Sequence, residues 1–227
     1  MRKILFFLCS FILAFFPTQT QAAGKVTPVF HIDTHQKIIA LTFDDGPHPI
    51  YTPLLLELLH KERVRATFFL LGNHAEKYPK ITSWIYHAGH EIGNHSYSHR
   101  EMKNLTRAEI YDEIKKTERI IHKIVGRRPD HFRSPYGEIS PSILKATYES
   151  GYQLINWSID PRDWDRHRTA EVMTGSIQNK IRPGDIVLFH DGGGNQKEML
   201  EAVKNLIHTL KLNGYHFVTI SELMELE

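Results

Sequence analysis

This chain of 227 residues predicts an α/β fold built on a parallel sheet. Three observations carry that expectation. Short apolar runs alternate with longer segments of helical period, and alternation of this kind implies right-handed crossovers between parallel strands. Proline and glycine punctuate the helical segments at the ends that tolerate them. Polar residues recur just after the apolar runs, and in a parallel sheet such positions all open on one face.

The runs Ile38–Phe43, Ala66–Leu71, Glu91–Asn94, His131–Arg133, Gln153–Ile159, Ile186–Phe189 and Phe217–Ile220 read as seven strands, the third and fourth having the least apolar composition. Between them, Pro53 and Pro141 sit in first helical turns, the second preceded by Ser140 as a cap. Thr106 and Glu109 have capping-box spacing, with Ile110, Ile114, Ile121 and Val125 as an apolar stripe and Gly126 as the stop. Gly89, Gly151 and Gly214 close three further helices. The alternation alone fits an open α/β sheet and a closed barrel equally.

The amino-terminal segment reads as a leader rather than as fold. Arg2 and Lys3 precede a run of 13 residues, Ile4 to Phe16, broken only by Cys9 and Ser10, with small residues at Ala22 and Ala23. That is short for a membrane span and suits a signal peptide over 1–23, leaving 24–227 as a single catalytic domain. An uncleaved amino-terminal anchor is the rival reading. Cys9 is the sole cysteine, so the mature chain would have no disulfide and no thiol nucleophile. Phe6, Phe7 and Leu8 are too large for a lipoprotein signal. Without Arg2 and Lys3 the chain has 26 basic and 26 acidic residues. That balance argues against a nucleic-acid partner and suits an uncharged polymer.

Asp44 and Asp45 end the first predicted strand, His95 follows the third, Arg133 ends the fourth, Asp160 and Asp163 follow the fifth, and His190 ends the sixth. Two adjacent carboxylates repel unless a cation neutralises one. A metal on Asp45, His95 and His99 would do so, leaving Asp44 free and keeping positions open for water and substrate. The four-residue spacing of His95 and His99 says little alone. With 15 histidines one such pair is ordinary, and His31 and His35 repeat it at the amino end of the sheet, where they read as surface residues. Asp44-Asp45-Gly46-Pro47 also reads as a plain turn. Arg133 facing Asp44 would keep it ionised, although an ordinary salt bridge accounts for it equally. His190 reads as a core histidine or, beside Asp163, as a proton donor. Trp164 fits either core or the wall of a sugar site. His60, His87, His122 and His208 fall in predicted helices.

Five segments, Thr42–Pro47, His95–His99, Arg133–Gly137, Asp160–Trp164 and Leu188–Asp191, in this order resemble the polysaccharide deacetylases of the NodB-homology group, carbohydrate esterase family 4. The likeness runs from about Lys37 to Ile220 with no departure at a catalytic or ligand position. It implies a distorted (β/α) barrel of about seven β/α units. It implies Asp44 as general base, oriented by Arg133, and one divalent ion, zinc or a similar ion such as cobalt, on Asp45, His95 and His99. It further implies His190 as general acid and the Tyr136 backbone N–H as an oxyanion donor. Asp163 would support His190 or pair with Arg133. Trp164 and Leu188 would line the acetyl pocket, with Pro135 and Tyr136 against substrate.

The resulting expectation is a secreted, monomeric, metal-dependent hydrolase without protein partner. It would remove N-acetyl groups from N-acetylglucosamine polymers, peptidoglycan first and chitin oligomers second. Hydrolysis of a small cyclic amide or ureide is an alternative that the leader disfavours. A carbohydrate-binding protein without chemistry is another. Asn94-His95-Ser96 fits a glycosylation acceptor, but a glycan there would obstruct the metal site, so it is expected to stay unmodified.

Overall fold

The computed structural model describes residues 26–226; the leader expected over 1–23, Cys9 included, lies outside them. In chain order the elements are β1 (Ile38–Asp44), α1 (Tyr51–Lys61), β2 (Thr67–Leu70), α2 (Gly72–Lys77), α3 (Pro79–His87), β3 (Glu91–Asn94), α4 (Arg107–Val125), β4 (His131–Phe132) and α5 (Pro141–Ser150). They continue with β5 (Gln153–Leu154), α6 (Ala170–Gln178), β6 (Ile186–His190), α7 (Gln196–Leu212), β7 (His216–Val218) and α8 (Ile220–Met224). Every strand pair is parallel, in the order β5-β4-β3-β2-β1-β6, with β7 also on β1.

β1 is covered on both faces, and its period-two alternation divides the core. Ile39, Leu41 and Phe43 pack with residues of α1 and α7, among them Leu55, Leu59, Val203 and Leu206. Ala40 points to a second cluster with Ile155, Ile186 and Ile220. Thr42 and Asp44 continue that second face toward the carboxyl end of the sheet, where the polar residues gather.

The local signals act as their chemistry predicts. Thr106 and Glu109 form both halves of a capping box, and Gly126 ends α4 at φ 75. The Ser140 side chain accepts from Ile143 N, with Pro141 opening α5. His60, His87, His122 and His208 lie in α1, α3, α4 and α7.

Four observed strands are shorter than their expected runs, and two of them, the fifth and the seventh, lose two or more residues at the carboxyl end. The fifth pairs with β4 only through Gln153 and Leu154, and Ile155 makes an isolated bridge to Val29. Beyond it, the carbonyls of Ile155 and Asn156, which would extend a ladder, accept from the buried Arg133 guanidinium at 3.2 and 3.0 Å. The chain then reaches β6 through a single bridge, Ile159 to Val187. The expected barrel is therefore a curled half-barrel whose β5–β6 junction is an irregular segment. The seventh run stops short of Ile220, because Thr219 and Glu222 form a capping box that starts α8.

Candidate active site

Parallel register brings the site together. Asp44 at the end of β1 is the register partner of His190 at the end of β6. Neighbouring strands lie about 4.8 Å apart, so the two residues stand side by side at one level. His95 follows β3, its N–H donating to Leu70 O at 3.0 Å, and Arg133 follows β4, donating to Asn94 O at 2.9 Å. All of them sit at the carboxyl end of the sheet.

The adjacent aspartates diverge because Asp45 takes a left-handed conformation at φ 70. Its carbonyl accepts from His74 Nδ1 at 2.7 Å. Asp45 Oδ1 lies 3.5 Å from His95 Nε2 and 3.3 Å from His99 Nε2, and the three donor atoms fall within 4.8 Å of one another. His95 Nδ1 donates to Arg133 O at 2.8 Å; a carbonyl only accepts, so in the neutral ring that proton assignment leaves Nε2 with its lone pair toward Asp45.

The cluster fits a cation. Asp45 Oδ1 is buried without a hydrogen-bond partner. Burial would raise the Asp45 carboxyl, but the neighbouring His95 imidazole, with His190 and His99 adding, outweighs it and holds the group well below the usual carboxylate range. Burial would likewise lower His95, yet Asp44 and Asp45 draw it toward its charged form. Two histidines and one carboxylate are the donor set of a catalytic divalent site.

Asp44 is 2% exposed and Arg133 fully buried. Arg133 Nη1 donates to Asp44 Oδ1 at 2.7 Å and to Thr42 Oγ1 at 2.8 Å. With the bonds to Ile155 O and Asn156 O, the guanidinium is anchored along its whole edge. Asp44 Oδ2 is left facing His95 Nε2 at 3.7 Å.

Asp163 pairs with His190, which decides the alternative left open by sequence. It accepts from His190 N at 2.7 Å and from His190 Nδ1 at 2.8 Å. Burial would depress the imidazole, but the hydrogen bond and charge of Asp163, with Asp44 and Asp45 adding, push it up to about 9.

Asp44, Asp45, His95, His99 and His190 all line one cleft of about 490 Å³. Tyr136, Trp157, Trp164 and Leu188 are among the other residues of its walls, with Asp160, Gly193 and Gly194. Tyr136 is held at φ 59, with its ring 4.6 Å from that of His99. Leu188 is buried at the back, whereas Trp164 and Tyr136 are exposed at the mouth. Pro135 is buried and does not line the cleft. His31 lies at the opposite end of the sheet, bonded to Asp185 just before β6, and His35 is exposed. Asn94 is buried, and its amide donates to Ile114 O at 2.9 Å, so no glycan fits there.

Sequence reasoning gave no role to three contributors. Trp157 lay inside a predicted strand, where an aromatic residue reads as core. His74 lies in a helix and acts through the backbone of Asp45. Asp191 is buried beneath the site and bonded to Thr52; burial, with Asp45 and Asp44 adding, pushes it up to about 7. A Cβ at Gly46 would overlap its carboxylate. A glycine before Pro47 was a signal for that close approach as well as for a turn.

The family model for polysaccharide deacetylase matches residues 31–155. The chain belongs to the polysaccharide deacetylase family. This polysaccharide deacetylase is 37% identical over 208 residues to a peptidoglycan-N-acetylglucosamine deacetylase of Bacillus cereus, covering 91% of this chain and 96% of that one. It is 35% identical to a chitooligosaccharide deacetylase of Azorhizobium caulinodans, covering 81% and 93%. Among solved structures, that of the Bc1960 peptidoglycan N-acetylglucosamine deacetylase, bound to an N-oxidanyl-benzamide, superposes with a TM-score of 0.84. The two are 36% identical and share 88% of this chain and 94% of that one.

Proposed function

We propose that this polysaccharide deacetylase is a secreted, metal-dependent hydrolase that removes N-acetyl groups from N-acetylglucosamine-containing polymers. Peptidoglycan is the first substrate and chitin oligosaccharide the second. One observation carries the reading: the Asp44 carboxylate and the His190 imidazole stand at the same register level in the cleft that holds the three-donor cluster. The relatives' names support the substrate class. The apolar run after Arg2 and Lys3 supports export.

Asp45, His95 and His99 would hold one divalent ion, zinc or a similar ion. When bound, such an ion polarises the acetamide carbonyl and acidifies water. Asp44, held in place by Arg133, takes the proton of the attacking water. The Tyr136 backbone N–H donates to the oxyanion that forms on the acetyl carbon. His190, kept protonated by Asp163, delivers its proton to the sugar nitrogen as the C–N bond breaks, giving acetate and a free amine. Leu188 and Trp164 bound the space for the acetyl methyl.

The test is mass spectrometry of peptidoglycan and chitin oligomers after incubation, with acetate measured in the presence and absence of a chelator. Loss of acetyl groups that stops with chelation and returns with zinc is expected. No acetate under any condition would leave a carbohydrate-binding protein as the better account.

A further inference from the structure

The two histidines of the cluster are held in different ways. His95 is fixed by regular structure: its N–H continues the β2–β3 ladder and its ring donates to Arg133 O. His99 sits on an irregular loop that enters the left-handed region at Ser96, φ 70, and again at His99 itself, φ 57. Such conformations are unfavourable for residues with a Cβ and persist only where surroundings enforce them. Within the loop, His99 N donates to Ser96 Oγ at 3.1 Å. The rest of the constraint comes from outside.

Gly72 N and Asn73 N donate to Ser96 O and Tyr97 O at 2.9 and 3.1 Å, and Ser96 N donates to Asn94 Oδ1 at 3.0 Å. Glu113, on α4, takes the segment between the two histidines. Tyr97 N and Ser98 N donate to Glu113 Oε2 at 2.9 and 2.8 Å, and Ser98 Oγ donates to Oε1 at 2.8 Å. Both carboxylate oxygens are thus committed to the segment between the two histidines, through charge-assisted bonds. The acid is itself rigidly placed. It stands on the face of α4 that buries Ile110, Ile114 and Thr117, in a 19-residue helix capped at both ends.

We propose that Glu113 is a positioning residue for the metal cluster, setting the Ser96–His99 turn so that His99 Nε2 meets Asp45. The proposal rests on the metal-dependent reading above. It concerns placement rather than charge, and substitutions separate the two. Glu113→Gln loses the charge but keeps an oxygen for the two backbone N–H groups, while the Ser98 hydroxyl turns to accept from the new amide. Glu113→Asp keeps the charge but withdraws the carboxylate by one methylene, out of reach of three donors.

The experiment is zinc affinity of the metal-stripped full chain by competition with a chelating dye, with cobalt(II) absorption reporting ligand geometry. Glu113→Asp and Glu113→Ala are expected to bind zinc about 10- to 100-fold more weakly, the range for lost outer-shell support, with an altered cobalt spectrum. Glu113→Gln is expected to stay within about threefold of the parent, and Ser98→Ala, which removes one bond of the clamp, to lose about threefold. Glu109→Ala breaks the capping box on the same helix; it should lower thermal stability and leave zinc affinity unchanged. Ser98→Ala carries the test where an acid variant does not fold. Weak binding by Gln with normal binding by Asp would overturn the proposal in favour of charge. So would equal affinities throughout, or an equal loss in Glu109→Ala. A parent chain that takes up no zinc would overturn the metal reading itself, which is a different result.

Discussion

Replacing Asp163 by asparagine tests the acid half of the site with little change of shape. Asp163 is 1% exposed, and its two oxygens receive the His190 N–H and Nδ1–H. An asparagine has one accepting oxygen for those two donors. If it keeps the backbone bond, its amide NH₂ faces Nδ1 and favours the neutral ring with its proton on Nε2. Asp163 heads the influences that overcome burial and push His190 up to about 9 from 6.5. Each pH unit is worth about 1.4 kcal/mol, so the net of all these influences amounts to roughly 3 kcal/mol in favour of the charged ring. The sign follows directly. A raised value keeps the acid protonated through neutrality, and activity falls as pH rises through it. A cation on Asp45 offsets what Asp44 and Asp45 contribute, so the alkaline limb of the loaded enzyme should lie between the ordinary histidine value and about 9. In Asp163→Asn the limb should move to about pH 6.5 or below, leaving about a tenth of the acid form at pH 7.5. Orientation adds a further loss at every pH. The assay is acetate release against pH from about 5 to 10, following kcat/KM. A limb in the variant that coincides with the parent's would refute the assignment of His190 as the acid that Asp163 sustains.

Three other outcomes follow from the same geometry. Asp44→Asn should reduce turnover by about 100-fold or more while zinc affinity stays near normal, whereas Asp45→Asn should lose both; isothermal titration beside acetate release distinguishes them, and near-normal activity in both variants would sink the roles given to each. Arg133→Met should destabilise the fold by about 3–5 kcal/mol in urea titration, because it leaves Asp44 as a buried charge without its partner; an unchanged midpoint would mean that water reaches Asp44. Glu91 is pulled below its ordinary value, since the hydrogen bond and charge of His131 and the bonds from Ser221 outweigh burial. Its contribution is therefore present above the ordinary carboxylate value and lost as pH falls through the folded one. Glu91→Gln should lower the neutral-pH melting temperature and flatten its decline between about pH 5 and 3, and a parallel decline in both proteins would contradict this.

What could be read from sequence was the part of the site that rides on regular structure. Asp44, His95, Arg133 and His190 each stand at or just past a strand end, so strand assignment alone placed them on one face. His31 and His35 could be set aside by the same logic, although their spacing copies that of the metal histidines. Features that depend on long-range packing were not legible. Nothing within Gln153–Ile159 shows that a guanidinium from the neighbouring strand takes its carbonyls, so an apolar run passed for a full strand. Nothing at Glu113 separates it from the other acids of a charged helix, because its partners are backbone N–H groups brought in by a loop. The left-handed residues Asp45, His99 and Tyr136 give no compositional sign either, since none is glycine. Their conformations are imposed by what surrounds them.

That difference explains how two neighbouring aspartates come to hold separate tasks. Asp44 obeys the strand and points with Thr42 to the face where Arg133 waits, so one of its oxygens is held and the other is left toward the cleft. Asp45 leaves the strand through φ 70 and turns its carboxylate to the histidines. A third acid, Asp191, lies beneath them with Thr52 as its side-chain partner, and it is the one pushed toward its neutral form. Three carboxylates thus share a buried corner without three bare charges: one is matched by a guanidinium, one by a cation-seeking cluster, and one holds its proton more tightly. Adding a charge or removing a partner at any of the three shifts the field at the other two. Substitutions there should therefore be strongly non-additive, and Arg133→Met combined with Asp44→Asn should be less destabilising than Arg133→Met alone.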